Sequence, residues 1–579
     1  MRRINFNECP RPQFVRSDYE ILDGIWGFAF DNENMGESKG YNNGFDKEYD
    51  IKVPYVYQCK ASGINIQTRC DNVWYQRIIN VKKTLDKDVI LHFEGSDYLT
   101  KLFVNGKYVG CESGGYHRLS FDITDYVVEG DNLIVVKCED DYSTEKPRGK
   151  QRWKDENFGC WYVDTTGIYK TVWLEYINHS RVENVKITPL VFEEKVILEY
   201  EAKNADGLVI NSEVIFNDSK VGSVEISIEN NIAKAELSLS GNIHLWDIKN
   251  PNLYDLKITL LDGGNVIDLV DSYFGLREIK TLNGKIYLNG KELYQKLVLD
   301  QGYWEDTHLS SPSNEALYQD IVKMKEAGFN GCRKHQKLED ERFVYYADVL
   351  GYLMWSEMPS MYCNTSKSRA VFEKEWLETV KQNYNHPCII VWTPLNESWG
   401  VEQILTRKVE QDFANIIYHL TKEYDPYRLV ITNDGWEHTI SDIITIHHYE
   451  QDGEKLYSYF ETKDKALQDV WDSHHKGAMA QGWEYKGQPI MVTEFGGTAY
   501  IKNTEGSTNW GYGIGVKDDE EYVNRFVGLI RALNKLDYSC GYCYTQVSDV
   551  QQEVNGIVYE NRQFKVDPKL LKEVQDERE

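Results

Sequence analysis

Two glutamates close short apolar runs, Glu397 after IIVWTPLN and Glu494 after PIMVT. Hydrolysis of a glycosidic bond needs such a pair: one carboxyl protonates the leaving oxygen, and the other attacks the anomeric carbon or activates water. Further polar residues end comparable runs: Asp300, Arg333 with His335, Glu357, Asn396, Asp434, His447 to Tyr449, and Tyr544 to Asp549. Polar groups there add nothing to a hydrophobic core. A single glutamate at a strand end is readily a salt bridge; a collection of this kind asks for chemistry.

The elements that must hold these residues follow from periodicity. Eight apolar runs, KLVLD, NGCRKH, YLMWSE, IIVWTPLNE, LVITND, IITIHHY, PIMVTE and CGYCYTQ, alternate with amphipathic helices from about residue 276 onward. Leu317, Ile321 and Met324 share one helical stripe, and Val409, Phe413, Ile416, Ile417 and Leu420 another. Eight strand–helix units predict a (β/α)8 TIM barrel, whose active site lies at the C-terminal strand ends. Residues 276–579 are therefore read as the catalytic domain. Residues 1–180 show period-two alternation (VWYQRIINV, DVILHFEGSD, NLIVVKCED) and an Asn105–Gly106 turn, which predict a jelly-roll-like β-sandwich with hairpins. Residues 181–275 (KITPL, KVILEYEAKN, YDLKITLLD) predict a smaller immunoglobulin-like β-sandwich.

The motifs resemble one family. NHPCIIVWTPLNESWG and PIMVTEFGG are similar to the acid/base and nucleophile strands of glycoside hydrolase family 2, the β-galactosidases, β-glucuronidases and β-mannosidases. LDGIWGF, VWYQR, FVNGKYVG, GGYHRLSFDITDY and GIYKTVWLE resemble its sugar-binding domain, and FGLREIKTLNGKIYLNGK the join into its barrel. The resemblance implies a retaining mechanism, with Glu494 as nucleophile, Glu397 as acid/base, Asn396 holding the sugar's 2-hydroxyl and Tyr449 hydrogen-bonding the nucleophile. It also places Asp300 and Arg333 where family members meet the sugar or brace the nucleophile. An ion pair joining two strands accounts for them equally well. The sequence departs from the family pattern at RKHQK, where His335 is either a substrate contact or a structural histidine. It departs again at strand eight, where Tyr542, Tyr544 and Thr545 replace the usual tryptophan and Tyr544 becomes a candidate subsite residue. Trp399 and Trp436 are candidates for stacking on sugar rings or for rim packing. His447 and His448 face opposite sides of a strand and make no zinc pair. No metal and no cofactor are expected. KPRGKQRWKDENFGCWYVD (146–164) is unusually aromatic and charged for a sandwich loop; it either reaches over the barrel mouth or seals a domain interface.

With 65 basic and 92 acidic residues the net charge is −27, which argues against nucleic-acid or anionic-membrane partners. MRRINFNECPRPQF has no apolar run, so no signal peptide is expected. Eleven cysteines without C-x-x-C pairs suit a reducing cytoplasm. The expected function is exo-hydrolysis of a small glycoside or oligosaccharide, foremost as a β-galactosidase. β-Glucuronidase, β-mannosidase or arabinosidase activity on the same scaffold, or a carbohydrate-binding protein without catalysis, are the alternatives. Family members often form dimers or tetramers, which leaves a homo-oligomer open. Family β-glucuronidases share an Asn-x-Lys pair after strand eight; here DVQQEVNGIVYENR (549–562) offers Glu553 and Asn555 and no lysine. A carboxylate beside a uronate repels it; the alternative is that this loop points elsewhere and Arg333 or Arg562 serves the uronate. Aryl β-glucuronides are therefore expected to react at least about a hundredfold less efficiently than the best neutral glycoside, roughly 2.7 kcal/mol at the transition state. Comparable kcat/KM on a glucuronide and a galactoside would overturn this.

Overall fold

The computed structural model describes residues 9–468, 476–500 and 508–578. Its first part is a β-sandwich of a six-stranded and a four-stranded antiparallel sheet. Their shared core runs from Leu22 to Tyr176. Strands Leu99–Val104 and Lys107–Ser113 form a hairpin, and Asn105 and Gly106 turn it with φ of 51° and 78°, the left-handed pair that Asn-Gly adopts cheaply. A second sandwich of three and four strands has its own core between Val182 and Leu276, into which Phe14 also packs. Arg16 ties the sandwiches together through Asp268 and Glu175.

The barrel strands are β1 (Gln295–Asp300), β2 (Gly331–Lys334), β3 (Leu353–Glu357), β4 (Ile389–Thr393), β5 (Leu429–Val430), β6 (Ile444–His447), β7 (Ile490–Gly496) and β8 (Ser539–Thr545). All eight expected runs carry one of them. They form a parallel sheet in the order β5-β4-β3-β2-β1-β8-β7-β6. A short continuation, Leu395–Asn396 against Asn433–Asp434, extends β4 and β5 toward the mouth. The outer helices include α1 (Asn314–Glu326), α2 (Glu341–Leu350), α3 (Ser366–Asn383) and α4 (Lys408–Tyr424). Ser313, Asp340 and Thr365 cap the first three by accepting from backbone N–H groups. Among the described residues no helix is long and apolar enough to cross a membrane, and all eleven cysteines carry free thiols.

The segment from 146 to 164 leaves the first sandwich and lies across the barrel mouth as a strap. Arg148 N–H donates to the Ser360 carbonyl, the Tyr362 hydroxyl to the Gly149 carbonyl at 2.5 Å, and Gln552 to the carbonyls of Gly159 and Trp161. Deeper in the junction, Arg118 of the sandwich donates to Glu94 at 2.7 and 3.0 Å and to Glu341 of α2 at 2.6 Å, all three groups being buried or nearly so. Breaking a buried ion pair leaves a charge without compensation, at about 3–5 kcal/mol. Arg118→Met is expected to destabilise the sandwich–barrel junction by that amount, seen as an earlier urea unfolding transition; an unmoved transition would count against the junction being a stabilising contact.

Candidate active site

Glu494 sits on β7, where a register shift makes Ile446 pair with Val492 but His447 with Glu494. The extra residue, Thr493, re-aims the strand, as bulges beside active sites do, and sets Glu494 and His447 side by side. Glu494 Oε1 accepts from Arg333 Nη1 at 2.9 Å, and its Oε2 from the Tyr449 hydroxyl at 2.5 Å. Burial works against the charge of Glu494, but His447 and Arg333 outweigh it and hold the carboxyl below its ordinary range. Arg333 is wholly buried. It also meets Glu357 at 2.7 Å, Asp434 at 2.8 Å and Asn396 Oδ1 at 2.6 Å.

Glu397 follows the β4 extension at φ 51°, with Ser398 at 61°. Two successive non-glycine residues in the left-handed region cost about 1–3 kcal/mol each. Asn433 holds the turn by accepting from Ser398 N–H at 2.9 Å, and Ser398 Oγ donates to Glu437 at 2.5 Å. Glu397 is thereby swung across the mouth, its side chain 16% exposed, and meets His447 Nδ1 at 2.8 Å. The other ring nitrogen of His447 lies 3.3 Å from Asp434, an ion pair whose angle is off that of a straight hydrogen bond. Burial opposes the charge of His447, but Glu494 and Asp434 raise it to about 10. One oxygen of Glu397, one of Glu494 and a His447 nitrogen lie within 4.8 Å of one another. His448 faces the other way, against Tyr459 and Phe460.

Asn396 is buried, and its amide nitrogen has no partner among the described residues. His335 lines the wall 2.9 Å from Glu357; burial, with Lys150 and Arg333 nearby, keeps it neutral. Trp399 is half-buried beside Trp161 and Tyr362, and Trp436 packs on the His447 ring at 5.5 Å. The strap adds residues that no strand-end pattern could signal. Lys150 is buried with its ammonium 4.7 Å over the Trp399 ring. Cys160, Glu553 and Glu494 raise its pKa against burial. Tyr162 donates to Glu553, which also accepts from Asn555 at 2.9 Å. Only the unusual composition of 146–164 hinted at this.

Two expected site residues stand elsewhere. Asp300 pairs in register with Lys334, on the face opposite Arg333, and bonds its ammonium at 2.7 Å. It locks β1 to β2 rather than facing the mouth. Tyr544 points outward to Phe526 and Phe495 at 4.9 and 5.4 Å. Strand alternation gives the inner face to its neighbour Thr545, 3.2 Å from the Tyr449 hydroxyl.

The family models for the sugar-binding domain, the central domain and the TIM barrel domain of glycosyl hydrolases family 2 match residues 19–176, 180–277 and 279–578. The chain belongs to this family. A putative beta-glucuronidase of Formosa agariphila is 30% identical over 367 residues, 60% of this chain and 43% of the relative. A beta-galactosidase of Thermoanaerobacterium thermosulfurigenes is 24% identical over 507 residues, 83% and 63%. The chain thus spans less than two thirds of the length of either. In fold it is similar to a Bifidobacterium dentium beta-glucuronidase, with TM-score 0.80, 17% identity and 98% of both chains covered. It is likewise similar to an Eisenbergiella tayi beta-galacturonidase, with TM-score 0.77, 18% identity, 98% of this chain and 97% of that one.

The Tyr449 hydroxyl favours the ionised form of Glu494, and a hydrogen bond to a charged group contributes about 1.5–3 kcal/mol. Tyr449→Phe is expected to raise the Glu494 pKa, so that the acidic limb of kcat/KM moves to higher pH. An unmoved limb would show that the bond does not tune Glu494.

Proposed function

We propose that the protein is a retaining exo-β-glycosidase. The observation that carries this is the approach of Glu397 and Glu494 to within 4.8 Å. Direct attack on the anomeric carbon needs carboxyl groups about 5–5.5 Å apart, whereas an inverting enzyme needs about 6.5–9.5 Å to seat a water between them. Glu494, kept ionised by Arg333, His447 and Tyr449, attacks the anomeric carbon as the glycosidic bond breaks. Glu397, at the more open side of the mouth, gives its proton to the leaving oxygen. Water then enters, loses a proton to Glu397 and releases the sugar from Glu494. The unpartnered amide of Asn396 suits the 2-hydroxyl, and His335, Trp399 and Trp436 are the proposed walls of the sugar site.

For the terminal sugar we favour a neutral pyranose such as galactose. Glu553 offsets the charge of Lys150. The remaining cations are engaged: Arg562 by Asp320, Lys565 by Asp549, and Arg333 within its own cluster. Lys150 also favours a second reading, a uronide, because it forms no ion pair among the described residues; several relatives carry β-glucuronidase names. A panel of aryl β-glycosides with the Lys150→Met variant separates the two readings. A uronidase loses its uronide turnover in the variant, whereas a neutral-sugar enzyme prefers the galactoside throughout. A cytoplasmic setting, suggested by the free thiols, belongs to the same proposal.

Glu494→Ala is expected to abolish turnover of every substrate. Glu397→Ala should spare the first step for substrates whose leaving groups need no proton. Equal loss on activated and unactivated aryl glycosides would reverse the assignment of the two residues, and an inverted product by NMR would overturn retention.

A further inference from the structure

His447 is the residue of the site that the double displacement does not by itself require. Its ring is fixed from every side. Nδ1 stands 2.8 Å from Glu397 and 3.6 Å from Glu494, and Nε2 3.3 Å from Asp434. Trp436 packs on the ring. Gly435, at φ +105°, makes the room: a Cβ there would come within 2.7 Å of Nδ1. The register shift on β7 gives the ring its position between the two carboxylates. The other charged or titratable groups around it are few. Arg333 shares Asp434 and Glu494 with it, and Tyr449 donates to the far oxygen of Glu494. His335 and His438 are driven neutral by burial. Lys150 of the strap acts on Glu494, and the Lys476–Glu437 pair lies beyond Trp436. His448 and Glu450 belong to the opposite face of β6 and the loop after it.

We propose that His447 is a positioning residue that shares one cation between Glu397 and Glu494 and thereby couples their charge states through the reaction. The inference rests on the acid/base and nucleophile roles proposed above. While Glu494 is free, the cation is shared between the two carboxyls, and its charge helps to keep Glu494 ionised. Once Glu494 is esterified by the sugar it carries no charge, and the cation acts on Glu397 alone. This favours the carboxylate that takes a proton from water. His447 keeps its own proton throughout.

His447→Gln removes the charge at similar length, and His447→Lys restores a cation. In the Gln variant the acidic limb of kcat/KM should move to higher pH, since loss of a nearby cation disfavours ionisation of Glu494. With an activated aryl glycoside, whose kcat reports the water step, kcat should fall at least about tenfold. kcat/KM at its own optimum should fall less. The Lys variant should return the limb toward wild type. An unmoved limb, with kcat and kcat/KM falling together, would show that the ring merely packs. Should the wild type turn over no glycoside, the hydrolase reading fails, and 13C-labelled glutamate carboxyls still decide the coupling. The signal of Glu494, assigned with E494Q, must titrate higher in His447→Gln, and an unchanged titration refutes it. If the Gln variant does not fold, as judged by circular dichroism, His447→Asn carries the same measurements.

Discussion

A guanidinium with no exposure to water must find its counter-charges within the protein, since an isolated buried ion is prohibitive. Arg333 finds three, Glu357, Asp434 and Glu494, on the ends of β3, the β5 extension and β7. His447 on β6 joins Asp434 to Glu397 and Glu494. Four carboxylates and two cations therefore form one continuous network across the mouth, closed by the Asn396 carbonyl. The strand ends are held in place by the same charges that line the mouth, and removing a shared member such as Arg333 would leave several buried carboxylates short of a counter-charge.

The mouth is not the barrel's alone. The strap brings Lys150, Trp161 and Tyr162 from the first sandwich against Trp399 and Glu553 of the barrel. Arg118, tying that sandwich to α2, lies deep in the same junction. The sandwich is thus more than an appendage: it supplies Lys150, a buried cation over the Trp399 ring with no ion pair among the described residues.

Membership of glycosyl hydrolases family 2 rests on all three family models. Two pieces that the sequence sets apart from the family's usual pattern lie at the mouth: Thr545 takes the inner face of β8, and Glu553 meets Tyr162 of the strap and Asn555. Relatives named as glucuronidases and as galactosidases both align with the chain, so identity of fold leaves the sugar to a few side chains of the mouth.

Periodicity in the sequence was enough for the eight strands, because apolar runs of strand length between amphipathic stripes have few other foldings. The two glutamates were legible only as a pair, each in a motif that resembles the family's, and the structure brings one oxygen of each to within 4.8 Å of the other. Facing direction was less secure: Asp300 and Tyr544 end barrel strands, but alternation turns them away from the mouth, and a shift of one residue decides this. The same sensitivity hid the partners of His447, which the sequence marks only as a polar strand end. A bulge at Thr493 turns it toward Glu494, and a bulge is a property of paired strands, invisible in either one. Lys150 was out of reach for a different reason. It lies far along the chain from β4 and on another domain, and nothing local to its neighbours encodes that the strap folds over Trp399. Sequence determined the elements and their chemistry, because those depend on short-range pattern. Tertiary structure decided which charges meet, because that depends on register and on the docking of domains.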